Sequence, residues 1–567
     1  MAVWWSRRVW VVALVGVALA ACNGGGSKPV TASGTGATGS TAEPRATSTS
    51  SAVSTSQASV SSPTALAASK PNVLFVLTDD MRFDDLQYLP QIRSLIGDAG
   101  MSFDNEFDNV TLCCPARTSI LRGQYSHNTG VLTNDAKNGG FETAHGSGVE
   151  NATVATAMHD AGYVTGLFGK YLNGYPNTAD VSFIPPGWDR WASSTKGNAY
   201  GEYDYTLNLN ATQVSHGHTP ADYGTDVYVA QTKALMNDAA ATKKPFFAYL
   251  AVYAPHQPAT PAPQDVNAFP GLKALRDPAF NEADVSDKPD YIRALPLLGP
   301  KRQDQIDVLA RKRAQSLQEV DRGVASLIDT LRVNGQLDNT VIIFTSDNGF
   351  HLGQHRMPAG KQTAYETDIH LPLLVRGPGI AAGAHVSALT GNIDLAPTIA
   401  ALGSTTLADN PDGRSLVGFL AAKPAGAAHV VAPPAVWRNA YLLEHWSTAS
   451  TVADRPGAGQ LEPDDQDQGG QTPADDAAST TVAAGAPAVG NIPEFRGLRI
   501  AGYTYVEYVT GERELYDIVA DPDELHNLIK STSAARLAAL HTRLEDLHTC
   551  VADACRQIEN APLTLPA

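Results

Sequence analysis

The sequence predicts an α/β fold, a mixed and mostly parallel sheet between helices, followed by a smaller C-terminal α+β subdomain. Three observations predict it. Short runs at 72–78, 164–169, 246–252 and 341–345 are rich in branched and aromatic residues, as strands buried on both faces are. Segments with helical spacing separate them, most clearly between Gln303 and Leu331, where Ile306, Leu309, Leu317, Val320, Val324, Leu327 and Leu331 form one apolar stripe. Each run also ends in polar, ligand-type residues: Asp79 and Asp80, then Lys170, His256, and Asp347 with Asn348. In an open sheet covered by helices such ends converge on one edge, where ligands bind.

The 567 residues are 43% hydrophobic, enough for a large core. Set against 58 acidic side chains, 41 basic ones leave a net charge of −17, which excludes nucleic acid as a partner and opposes a grip on long polyanions. Residues 1–22 read as an export signal, with Arg7 and Arg8 before an apolar run too short to span a membrane stably. Leu19-Ala20-Ala21-Cys22 resembles the bacterial lipoprotein box, which would lipidate Cys22; a chance cysteine at the cleavage site, and simple secretion, is the alternative. Residues 23–69 are Gly, Ser, Thr, Ala and Pro with little to bury, a disordered tether.

The main unit is expected over 70–430. Asp79-Asp80 follow the first strand directly, and two adjacent carboxylates there suit a bound cation as well as an ordinary turn. Leu86 to Ile96 has helical spacing, and a short polar loop leads to Leu112-Cys113-Cys114-Pro115-Ala116-Arg117. Pro115 fits the first residue of a helix, which leaves Cys113 just outside an electropositive helix N-terminus, with Arg117 on the first turn to stabilise a deprotonated group at 113. Two adjacent cysteines also suit plain buried hydrophobes. A helix over 153–161 feeds the strand that ends at Lys170. The Asp79, Asp80, Asp347 and Asn348 set is made of hard oxygen donors, which suits Ca²⁺ or Mg²⁺ rather than Zn²⁺. Gly349 to Gln354 and Gly360 to Glu366 lead into a strand at 371–375, and Asp394 opens a helix. The smaller piece, 431–567, has strands at 440–443, 497–500 and 503–509, interrupted by a disordered insert at 452–490. Cys550 and Cys555 are spaced for a small disulfide in an exported protein.

Cys-x-Pro-Ala-Arg at Cys113–Arg117 resembles the sulfatase signature, in which the first cysteine is oxidised to Cα-formylglycine; Cys114 would be the spacer and keep its thiol. Phe168-Gly169-Lys170-Tyr171-Leu172-Asn173, Ile184-Pro185-Pro186-Gly187-Trp188, Ser346-Asp347-Asn348-Gly349-Phe350-His351 and Glu514-Leu515-Tyr516-Asp517 resemble the N-acetylglucosamine-6-sulfatase and heparan endosulfatase branch. The resemblance runs from about Pro71 to Leu528 and implies an alkaline-phosphatase-like sulfatase fold and an exported sulfuric ester hydrolase. By it, Asp79, Asp80, Asp347, Asn348 and the modified Cys113 would hold Ca²⁺, with Mg²⁺ as the alternative. Arg117 and Lys170 would stabilise an aldehyde hydrate, while His256 and Lys361 would contact the sulfate. One hydroxyl of that hydrate would attack sulfur to give a covalent sulfo-enzyme as His256 protonates the leaving alcohol, and the second hydroxyl would expel sulfate.

Many arylsulfatases carry His two residues after this lysine, where Leu172 stands here. Leu cannot accept a proton, which leaves His351 and His127 as candidates for the base. The implied substrate is a small 6-O-sulfated N-acetylglucosamine-type saccharide, and a formylglycine-generating enzyme is an implied partner. Arylsulfatase activity, phosphoester or phosphonate hydrolysis on the same architecture, and a non-catalytic carbohydrate-binding lipoprotein are the competing readings.

Overall fold

Val73 to Leu77 supply five consecutive apolar side chains that are at most 1% exposed, so this strand lies at the centre of the molecule. Burying each such side chain contributes roughly 1.5–3 kcal/mol. The computed structural model describes residues 70–426, 429–447 and 492–566. The export signal at 1–22, the tether at 23–69 and the insert at 452–490 lie outside the described residues. The chain divides after Ser59, and every described residue belongs to the unit 60–567.

In chain order the strands are β1 (Asn72–Thr78), β2 (Met101–Phe107), β3 (Val164–Gly169), β4 (Arg190–Gly197), β5 (Tyr205–Leu209), β6 (Thr212–Ser215), β7 (Phe246–Ala251) and β8 (Thr340–Ser346). After the short pair β9 (His351–Leu352) and β10 (Ala359–Gly360) come β11 (His370–Arg376), β12 (Ala384–Val386), β13 (Thr390–Gly391) and β14 (Val430–Val431). The main sheet runs β14-β12-β2-β11-β8-β1-β7-β3-β4-β5-β6, with β13 beside β2. Its centre, β8-β1-β7-β3-β4, is parallel, while β11 is antiparallel to both β2 and β8, and β4-β5-β6 form an antiparallel edge. One apolar layer includes Leu74, Val76, Leu250, Phe344 and, from the long helix Pro300–Val333, Leu317 and Val324. The other face packs Val73, Phe75 and Leu77 with Ile120, Leu121 and Ile399 from the helices Cys113–Arg122 and Leu395–Leu402.

Register explains why the polar strand ends meet. Thr78 pairs with Ser346, Leu77 with Ala251, and Gly169 with Ala251. Asp79, Lys170 and Asp347 therefore leave the sheet within about one residue of the same level. Gly169 is required at its position: φ is +118°, and an added Cβ would stand 1.8 Å from the Ala251 carbonyl oxygen. Its absence lets the Lys170 N–H donate to that same oxygen at 2.8 Å.

A separate antiparallel sheet of β15 (Ala440–His445), β16 (Phe495–Ile500), β17 (Tyr503–Tyr508) and β18 (Arg513–Asp517) carries the helix Ala534–His548. Its core is continuous with Phe107, Tyr125, Tyr365 and Ile393 of the main unit. The disulfide Cys550–Cys555 is present, while Cys113 and Cys114 are buried and outside it.

Four local expectations need correction. The 86–96 segment is no single helix: a 3-10 turn at Phe83–Tyr88, a short α turn at Pro90–Ile92 and a π turn at Arg93–Asp98 divide it, because Pro90 has no N–H to continue the ladder. The loop expected before Cys113 contains strand β2, whose alternation of buried and half-exposed residues is hidden among polar ones. Helix Cys113–Arg122 starts at Cys113 itself, with Pro115 third; the first turn needs no intrahelical N–H, so proline is tolerated there too. Strand β18 was not anticipated, since Arg-Glu-Leu-Tyr-Asp carries no apolar run.

Candidate active site

Three carboxylates and three basic side chains, all at most 4% exposed, meet at the C-terminal edge of β1, β3 and β8. The Asp79 carboxylate accepts from Lys170 Nζ at 2.7 Å and lies 3.5 Å from both Cys113 Sγ and Arg117 Nη2. Asp80 Oδ1 accepts from Lys361 Nζ and from the Asn348 amide, each at 2.7 Å. Lys361 Nζ also lies 2.8 Å from Cys113 Sγ. Asp347 takes the Asp80 and Asn348 N–H groups on Oδ1, at 3.0 and 2.8 Å, and Arg117 Nε on Oδ2 at 2.8 Å. Arg117 Nη1 donates to the Lys170 carbonyl at 3.0 Å.

The electrostatics follow from this pairing. Burial acts to raise the Asp79 and Asp80 pKa values, but Lys170, Arg117 and His256 at Asp79, and Lys361 and His256 at Asp80, outweigh it and hold both below the ordinary range. Burial acts to lower the Lys170 and Arg117 values; the facing carboxylates reverse this and lift both well above normal. Burial pushes the Cys113 thiol well above its usual pKa, and Lys170 and Lys361 offset this only in part. Arg117, expected to stabilise charge at 113, places its Nε on Asp347, while its Nη2 makes no hydrogen bond among the described residues.

A cation fits this donor set. Asp80 Oδ2 and Asn348 Oδ1 are buried, and among the described residues neither has a hydrogen-bond partner. Leaving such acceptors unmet is costly, and a hard cation satisfies oxygen donors of this kind. Ligand-type atoms of Asp79, Asp80, Cys113 and His256 lie within 4.8 Å of one another. The structure therefore adds His256 to the cluster read from sequence, while both Asp347 oxygens already carry hydrogen bonds.

His256, 1% exposed, has Nδ1 2.7 Å from the Gln257 carbonyl, which can only accept, so the other nitrogen is left to exchange protons. That Nε2 is 3.6 Å from Asp80 Oδ2. The Tyr200 ring packs tilted against His256, centroids 4.5 Å apart, and lies 4.9 Å from Lys170 Nζ, and the Tyr200 hydroxyl accepts from Asn173 at 3.3 Å. Tyr200, Tyr253, Leu172, Asn173, Ser193 and Ser194 line a small cleft, with Lys170 in its wall.

The two proposed bases separate. His127 has Nδ1 on Glu444 at 2.8 Å and Nε2 on the Cys550 carbonyl at 2.9 Å, so it ties the main unit to the C-terminal subdomain and does not join the cluster. His351 is fully buried, with Nδ1 3.0 Å from Asp368 and no hydrogen-bond partner for Nε2 among the described residues. Pairing of Gly360 with His351 in β9–β10 sets it beside the segment that carries Lys361. Sequence reasoning missed Tyr200, which carries no motif, and Arg313. The second left a signal: Arg313 falls between Leu309 and Leu317 at four-residue steps, a charge on the buried stripe.

The family model described as Sulfatase matches residues 71–405, more than half of the chain. N-acetylglucosamine-6-sulfatase of Capra hircus is 34% identical over 508 residues, covering 87% of this chain and 86% of that protein. The extracellular sulfatase SULF-1 homolog of Drosophila melanogaster is also 34% identical, but over 69% of this chain and only 35% of its own length. Arylsulfatase of Volvox carteri is 30% identical, over 87% of this chain and 76% of that protein. A solved structure of a protein in complex with its substrate D-glucosamine-2-N,6-O-disulfate superposes with a TM-score of 0.65 at 21% identity, covering 86% of this chain and 99% of that one. Phosphonate monoester hydrolase of Agrobacterium radiobacter superposes at 0.58 with 20% identity, over 86% and 96%. At such identities the two structures establish the fold. With the family match extending over most of the main unit, the chain belongs to the sulfatase family and is a sulfuric ester hydrolase.

Proposed function

We propose that this enzyme removes the 6-O-sulfate from N-acetylglucosamine-type saccharides outside the cytoplasm, with residue 113 as formylglycine and a divalent cation, Ca²⁺ by donor type, at the Asp79-Asp80 edge. The observation that carries it is the convergence of Lys361, Lys170, Arg117 and His256 around position 113. Relatives that share about a third of the sequence over most of its length, and are named N-acetylglucosamine-6-sulfatases, point to the sugar.

Oxidised and hydrated, residue 113 supplies two geminal hydroxyls, one to attack sulfur and one to release sulfate. Asp79, Asp80, Asp347 and Asn348 would hold the cation beside it. Lys361 and Lys170 place ammonium groups where negative charge develops on the sulfuryl oxygens, in a site too dry to weaken them. Arg117 is fixed at two points, by Asp347 and the Lys170 carbonyl, so it stabilises the hydrate at 113 without reorganising. His256 donates its Nε2 proton to the departing alkoxide, a poor leaving group from a primary alcohol. The cleft formed by Tyr200, Asn173, Ser193 and Ser194 receives the sugar. His351, oriented by Asp368, is the proposed base for sulfate release in place of the missing histidine at Leu172.

Three measurements test this. A panel of sulfated hexosamines, heparan fragments, aryl sulfates, alkyl sulfates and the matching phosphate and phosphonate esters, ranked by kcat/KM, should be led by 6-O-sulfated glucosamines; a ranking led by aryl sulfates or phosphonates overturns the substrate assignment. Mass spectrometry of the peptide spanning 113 should find an aldehyde there and a thiol at 114. Export as a lipoprotein predicts that Cys22→Ala moves the protein from the membrane to the soluble fraction.

A further inference from the structure

Arg313 has no part in the chemistry above, yet it touches three of the segments that carry it. It projects from the middle of the long helix Pro300–Val333 and is 1% exposed. Its Nη2 donates to the Asp80 carbonyl at 2.6 Å and to Asp85 Oδ2 at 2.8 Å, and its Nη1 to the Pro255 carbonyl at 3.3 Å. The guanidinium carbon lies 4.6 Å from the centre of the Phe350 ring. Asp80 presents the carboxylate that faces the cation site, Pro255 immediately precedes His256, and Phe350 follows Asn348 by two residues.

A buried guanidinium needs a counter-charge, and Asp85 supplies it. That pairing does not account for the two carbonyl contacts, which use the planar fork of donors that arginine alone offers. Asp80 adopts φ +63°, an uncommon conformation for a residue with a Cβ. It is pinned from both sides, its N–H by Asp347 Oδ1 at 3.0 Å and its carbonyl by Arg313. Arg82 completes the arrangement by donating to the Phe350 carbonyl at 3.0 Å, while its own N–H is held by Asp85 at 3.1 Å.

We propose that Arg313 is a positioning residue: it locks the Asp80 turn, the His256 loop and the segment after Asn348 into one geometry, so that its loss lowers turnover and cation affinity rather than substrate affinity. The inference rests on the reading of Asp80, Asn348 and His256 given above.

The test compares the unsubstituted enzyme with Arg313→Lys, Asp85→Asn and the double variant Arg313→Gln/Asp85→Asn. Readouts are kcat and KM on the best sulfate ester, calcium binding by calorimetry, and the melting temperature. Asp85→Asn should keep kcat within about 3-fold, because Arg313 still bridges both carbonyls. Arg313→Lys and the double variant should each lose kcat by about 100-fold with KM within about 3-fold, and bind Ca²⁺ more weakly by about 10-fold or more. The double variant leaves no unpaired charge in the core, so it remains informative where Arg313→Lys does not fold. The inference is overturned by a folded Arg313 variant that keeps kcat within about 3-fold, by Asp85→Asn falling as far as Arg313→Lys, or by failure of both Arg313 variants to fold, which assigns the residue to stability alone. An unsubstituted enzyme inactive on every sulfate ester would instead remove the reading on which the inference rests.

Discussion

The Lys361 ammonium lies 2.8 Å from Cys113 Sγ and is held there by Asp80 Oδ1 at 2.7 Å. The ammonium of the residue just after β10 is thereby fixed against the first residue of the Cys113 helix, 248 residues away in sequence. Lys361→Met should lower kcat/KM by roughly 10²–10³, the usual cost of removing one preorganised charge-stabilising group. Asp80 keeps its Asn348 hydrogen bond, so the protein should stay folded. Steady-state kinetics alongside a melting curve checks this; near-normal kcat/KM would place the ammonium outside the reaction.

The unmet Asn348 Oδ1 predicts a metal phenotype separable from folding. Chelation should abolish turnover and added Ca²⁺ should restore it, while Asn348→Ala should weaken calcium binding by about 10-fold or more. Calorimetry reads the affinity directly. Full activity in enzyme shown by elemental analysis to be metal-free would refute the assignment.

His256 predicts a dependence on the leaving group. His256→Gln should cost roughly 10²–10⁴ in kcat on a primary sugar sulfate, whose alkoxide must be protonated as it departs. On 4-nitrophenyl sulfate the cost should be far smaller, because the phenolate leaves without a proton. Equal losses on both esters would give His256 a binding role only.

Away from the site, burial pushes the Glu202 pKa from 4.5 up to about 8, against the Thr225 hydrogen bonds that act to lower it. A folded-state pKa raised above the unfolded value means stability is fully present below pH 4.5 and is lost as pH rises towards 8. Glu202→Gln keeps an acceptor for the Thr225 N–H and removes the titration. Its stability relative to the parent should therefore rise across that window, by a few kcal/mol at the upper end, on the order expected for such a shift. Denaturant melts at several pH values would show it, and a difference independent of pH would contradict it.

Much of this arrangement was legible in the sequence because it is written locally. Apolar runs of strand length, each closed by Asp79-Asp80, Lys170, His256 or Asp347-Asn348, are short-range patterns, and a parallel sheet obliges their ends to share an edge. The Cys113–Arg117 spacing and the 550–555 cysteine pair are equally local. Strands β2 and β18 escaped because their side chains alternate or are largely polar, and only pairing with neighbouring strands makes them strands.

What tertiary structure alone decided is who faces whom. Burial, which no residue type announces, pushes the Cys113 thiol pKa up, and the fold sets Arg117 Nε on Asp347. The same three-dimensional accounting takes His127 away to Glu444, brings Tyr200 over His256 and Lys170, and lets Arg313 reach the Asp80 and Pro255 carbonyls 233 and 58 residues distant. Sequence specifies the donors and acceptors each segment carries. Which of them meet depends on strand register and on the need to satisfy every charge removed from water, and both are properties of the folded chain as a whole.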